Sequence, residues 1–225
     1  MAAMEAGRPD VAMAVCDAWE APLEFTATFF TLDRPEERLV AAFAGLTRHL
    51  RRVRPAAERL PELDRQLRLW SKAGLIQAEA ALAAGEADRT ISASTYALLA
   101  LDGLEEADLV SKLNALGMRA ITYSRTKRYG EAIPDLEASL GAIGDPPREG
   151  LRARAAADTF QLAACRAYVG TERALSPDAR RTVLDLLERA TALGFGRADL
   201  LEQAEAFRPL RADPEFGAIL DRMRR

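Results

Sequence analysis

Histidine is almost absent: of 225 residues, His49 is the only one. Any Ser-His-Asp or Cys-His mechanism would have to use it. It sits among arginines on a stretch with helical periodicity, a setting that suits a solvated side chain. Cysteine is nearly as scarce. Cys16 and Cys165 are far apart, lie in apolar surroundings, and have no Cys or His neighbour at metal-ligand spacing. That argues against a disulfide framework and against a zinc site. Lysine occurs only at Lys72, Lys112 and Lys127, and arginine supplies the remaining positive charge. The net charge is -3. A nucleic-acid-binding domain carries a basic surplus that neutralises phosphates, so DNA and RNA are not the expected partners. No run of about 18 apolar residues is present, so no membrane span is expected. Acidic residues at Glu5, Asp10 and Asp17 interrupt any apolar signal core, and a cytoplasmic location follows as the default expectation.

What is abundant is alanine and leucine, within a hydrophobic content of 49% and a charged content of 29%. Both are strong helix formers, and the balance is that of a folded protein. Residues 1–33 form a segment apart. Val11, Val15 and Trp19 follow Pro9-Asp10 at helical spacing, but Leu23 to Leu32 alternates and is rich in Thr and Phe, like a strand. A lone strand leaves its backbone unsatisfied. The expectation is a packed arm or an early helix, with pairing across a second chain as the other way out.

From Asp33 onward helix follows helix. Asp33, Pro35, Glu36 and Glu37 make a helix start, Leu39, Phe43, Leu46 and Leu50 give it an apolar stripe, and Arg48, Arg51, Arg52 and Arg54 crowd its end. Further helices are expected over residues 61–85, 87–101, 105–126, 131–143, 151–169 and 178–193, with two short ones over 199–205 and 214–223. Tight turns fall at Arg128-Tyr129-Gly130 and Gly144-Asp-Pro-Pro147, and Gly85, Gly194 and Gly196 act as stops. The organisation read from this is residues 1–33 as an arm, 34–101 as a helical region with a divergent repeat, and 102–225 as repeats with a C-terminal cap.

Residues 113–140 carry the clearest repeat pattern. Ala120, Ala132 and Ser139 supply small positions where two helices cross closely, and Tyr123, Tyr129 and Leu136 supply large ones. The string from Ala120 to Leu140 resembles a tetratricopeptide repeat nearly end to end, departing at Pro134 and at Ser139, where alanine is usual. Weaker copies flank it: Ala78, Ala81, Gly85 and Ala97 upstream, and Cys165, Tyr168, Val183, Leu187 and Ala190 downstream. The copies lie about 42 to 45 residues apart, against 34 in the family. The C-terminal segments Phe160–Tyr168, Leu186–Phe195 and Phe207–Phe216 are similar to the closing part of tetratricopeptide regions attached to some bacterial serine/threonine kinases. There a Leu-Arg-x-Asp-x-x-Phe element follows the last repeat, and here it is Leu210, Arg211, Asp213 and Phe216. It reads as a cap over the last apolar face. Kinase residues are lacking, so no kinase activity is implied.

The resemblance implies an all-α fold, a short tetratricopeptide-like α-solenoid of antiparallel helix pairs. It implies a non-catalytic scaffold or adaptor that binds a protein or peptide on the concave face lined by the first helix of each pair. Asn114, Gly117, Ile121, Ser124 and Arg125 are the outward-facing residues of the clear repeat, and Arg166 occupies a comparable place in the next. Asn and Arg there suit a peptide backbone or carboxylate. No cofactor or metal is expected. Gly194-Phe-Gly196 is too short for a nucleotide fingerprint, and Glu105-Glu106 and Asp185/Glu188 read as solvated faces. A regulatory or sensory role in a bacterial signalling or transcription complex is the alternative, and homo-oligomerisation stays open.

Overall fold

The computed structural model describes residues 60–104, 108–170 and 175–224. The expectations placed on residues 1–59 lie outside that range: the arm, the helix after Asp33, His49, Cys16 and the Arg48 to Arg54 cluster. So does the pair Glu105-Glu106. Among the described residues the chain is helical and contains no strand. The elements are α1 (Leu60–Ala84), α2 (Ala87–Asp102), α3 (Leu109–Arg125), α4 (Tyr129–Ile143), α5 (Arg152–Gly170), α6 (Pro177–Ala192), α7 (Ala198–Gln203), a 3-10 turn (Glu205–Leu210) and α8 (Pro214–Met223). The 3-10 turn had no counterpart in the sequence reading. The chain divides into two compact units, Met1–Met118 and Arg119–Arg225, and the division falls inside α3.

In the first unit α1 and α2 form an antiparallel pair. Gly85, with φ of 76°, ends α1: its N–H and that of Glu86 return to the carbonyls of Leu82 and Ala81. That double bond pair is a Schellman cap, which needs the left-handed conformation glycine adopts without strain. The helices cross tightly at Gly74, where an added Cβ would lie 3.1 Å from both the Ala93 carbonyl oxygen and the Ala97 Cβ. Around this crossing Leu67, Trp70, Tyr96, Ala100, Leu101 and Leu104 form the core.

In the second unit α4, α5 and α6 pack consecutively and antiparallel. Tyr129 at the start of α4 stacks on Tyr168 near the end of α5, with ring centroids 4.1 Å apart. Ser139 near the end of α4 donates to Asp158 near the start of α5 at 2.6 Å. Arg152 at the start of α5 donates to the carbonyls of Leu193 (3.1 Å) and Ala192 (2.8 Å), satisfying the C-terminal end of α6. Ser176 caps α6 by accepting from the Ala179 N–H, with Pro177 following it.

The tight turn comes earlier than the sequence suggests. Lys127, not Arg128-Gly130, carries it, with φ of 62°, and α4 already begins at Tyr129. Pro134 therefore lies beyond the first turn of α4, where it forgoes a bond to the Gly130 carbonyl. Asp108 accepts from the Ser111 N–H at 2.9 Å and the Ser111 hydroxyl at 2.5 Å, so α3 starts just after it rather than at Glu105. No helix among the described residues is long and apolar enough to cross a membrane.

Candidate functional site

The second unit is locked by charged pairs set into its helix contacts. Asp135 on α4 is buried and takes two bonds from Arg119, at 2.8 and 2.6 Å. Asp158 on α5 is buried too, and accepts from Ser139 and from Arg154 at 2.9 Å. Neither carboxylate was singled out in the sequence, because a charge at a core position is visible only once its partner is placed. Ala120, Ala132, Leu136, Leu162 and Cys165 form one buried apolar cluster of the same unit.

Beside this core an open groove of about 210 Å³ runs between α4, α5 and α6. Ile133 lines it from α4; Arg166, Val169 and Gly170 line it from α5; Ala179 and Thr182 line it from α6. Its size suits one apolar side chain rather than a whole cofactor. Val169 is half exposed at its edge, and Arg166 reaches across to pair with Glu137 on α4. At Gly170, where α5 ends, the Leu175 side chain lies against the backbone, its Cδ2 2.7 Å from where a Cβ would sit.

The residues nominated from sequence are distributed as follows. Asn114 is exposed on α3 within the first unit. Gly117, read as outward-facing, is buried; it shares a face of α3 with the buried Leu113 and Ala120, four residues before and three after it. In the second unit Arg125 is exposed, Ile121 half-buried, and Ser124 half-buried against α5. The Ser124 hydroxyl donates to the Ala120 carbonyl at 2.9 Å, lies 3.4 Å from the Cys165 Sγ, and accepts from Gln161 at 3.2 Å. Arg166 turns towards α4 and the groove instead, so Ser124 and Arg166 address different sides of α5. Ile133, Val169, Ala179 and Thr182 carried no distinctive sequence signal, being ordinary helix residues that converge only through packing.

Burial pushes the Cys165 thiol above its ordinary value, only partly offset by Ser124. Burial, with Tyr168 alongside, raises the Tyr129 hydroxyl. A raised thiol is the less reactive kind. Among the described residues no three His, Cys, Asp or Glu side chains are gathered as a metal centre would require. No protein-family model, no curated protein and no solved structure matches this chain.

Proposed function

We propose that this chain is a non-catalytic protein-interaction module of tetratricopeptide-like architecture, and that it holds a peptide segment of a partner protein on its second unit. The observation that carries this reading is the groove between α4, α5 and α6, with apolar walls and the Arg166 guanidinium at its rim. Apolar lining with one orienting charge suits a peptide side chain next to a carboxylate. The Arg166–Glu137 pair is well exposed on both sides, 38% and 48%. Pairs of that kind contribute only about 0–1 kcal/mol, so a ligand carboxylate can replace Glu137 at little cost. The stacked antiparallel helices, and the pattern from Ala120 to Leu140, support the family resemblance behind the proposal.

Selection of binders from a displayed random-peptide library, followed by calorimetric titration of the enriched peptides, tests it. Enriched sequences should pair an apolar residue with a carboxylate. Arg166→Ala should weaken them by about two- to fivefold, the range an exposed ion pair supplies. Arg125→Glu examines the neighbouring exposed end of α3. No enrichment, or affinities unchanged by both substitutions, overturns the reading.

A further inference from the structure

We propose that the outer face of α1 is the contact surface for a second copy of this chain, paired antiparallel about a two-fold axis at Ile76. An ordinary surface helix has one apolar stripe and an opposite polar face. The α1 helix has two apolar stripes. Leu67, Trp70, Gly74, Ala78 and Ala81 occupy the buried arc that packs on α2. Leu69, Ala73, Ile76, Ala80 and Ala83 recur at spacings of four and three residues on the opposite arc. Ile76 is 68% exposed and Leu69 40% exposed. Gly74 and Ile76 are two residues apart, about 200° around the helix. The tight crossing at Gly74 therefore turns Ile76 directly away from α2.

The charges flanking this stripe indicate what covers it. Lys72 and Glu79 are both exposed, sit seven residues apart along one edge of the stripe, and have no ion pair within the described residues. In an antiparallel pair of identical helices centred on Ile76, that edge meets itself. Leu69 then faces Ala83 of the second copy, and Lys72 lies beside its Glu79, twice over by symmetry. A two-fold contact has to be self-complementary in this way, and charges at such flanking positions set orientation. The contact rests on the first unit alone and does not depend on the groove of the second. The stripe spans roughly 21 Å along the helix, at 1.5 Å per residue, so the contact is small and the association concentration-dependent.

Sedimentation equilibrium of the full chain at low salt, at up to about 100 μM, is the test. The wild-type chain should show a reversible dimer. Ile76→Glu, which sets two carboxylates together at the axis, should remove it while circular dichroism stays unchanged. Lys72→Glu and Glu79→Lys should each weaken dimerisation by about tenfold, because each turns two attractions into two repulsions. An equimolar mixture of the two variants should restore it, since a mixed pair regains opposite charges at both positions. A wild-type chain that stays monomeric, the result expected where the chain's own residues 34–54 cover the stripe, overturns the proposal. So does a dimer that survives Ile76→Glu, or a mixture no tighter than either variant alone.

Discussion

Among the described residues three helix ends are closed by the same pair of backbone bonds, and they differ at one residue. After α1 and α6 the left-handed position holds Gly85 and Gly194; after α3 it holds Lys127, with Lys127 N–H bonding the Ser124 carbonyl and Arg128 N–H the Tyr123 carbonyl. A side chain in that conformation costs about 1–2 kcal/mol, less the entropy a glycine would lose. Lys127→Gly is accordingly expected to stabilise the chain by about 0.5–1 kcal/mol, read as a higher thermal midpoint. This also explains a boundary the sequence placed late: glycine marks a stop, and lysine does not. Asp213 is a second residue with two tasks. It caps α8 by accepting from the Glu215 N–H at 3.0 Å, and it receives Arg180 of α6 through two bonds, from Nε and from a terminal nitrogen. The Arg180 contact, ahead of the cap, holds its carboxyl below the ordinary aspartate value. A lowered carboxyl stabilises the fold above the ordinary value, and that contribution is lost as pH falls through the lowered one. Asp213→Ala should cost about 1–2 kcal/mol through the lost cap. Asp213→Asn, which keeps a capping oxygen, should cost less. Both variants should flatten the acid limb of stability against pH, measured by urea melts in acidic buffers.

At the scale of helices, position and extent were legible and depth of contact was not. Periodic Leu and Ala and the glycine stops locate α1, α2, α5 and α6 to within a residue or two, while the Ser176-Pro177 start of α6 emerges only in the structure. Of the Leu210-Arg211-x-Asp213-x-x-Phe216 element, which the family resemblance singles out, Leu210 and Phe216 are buried and Asp213 begins α8. The candidate site was largely not legible. Sequence offsets give the angle of a residue around its own helix, and they said nothing of which neighbour fills the space beyond. Ser124 and Arg166 were nominated together by register, yet α5 turns Gln161 and Cys165 to one and points the other at Glu137. Gly74 shows the same limit. A glycine inside a helix normally weakens it, and only the 3.1 Å approach of Ala93 and Ala97 explains it. Gly74→Val should therefore destabilise the α1/α2 pair by about 1–3 kcal/mol despite its better packing volume, checked by denaturant unfolding.

For the molecule as a whole, each unit encloses its own apolar core. In the second, Phe207, Leu210, Phe216, Ile219 and Met223 from the closing segments fold onto Val183, Leu184 and Leu187 of α6. Phe160 of α5 joins them, stacked on Phe195 and edge-on to Phe207. These closing segments thus cover apolar surface of α5 and α6 that water would otherwise meet. The burial of Trp70 against Leu67 and Tyr96 in the first unit has a practical corollary. Both tryptophans of the chain, Trp19 and Trp70, precede Met118, whereas Tyr123, Tyr129 and Tyr168 all follow it. With Trp19 replaced by phenylalanine, indole emission comes from Trp70 and reports on the first unit, and phenol emission reports largely on the second. The chain carries its own two-colour thermometer, and a melt followed in both colours distinguishes one cooperative transition from two.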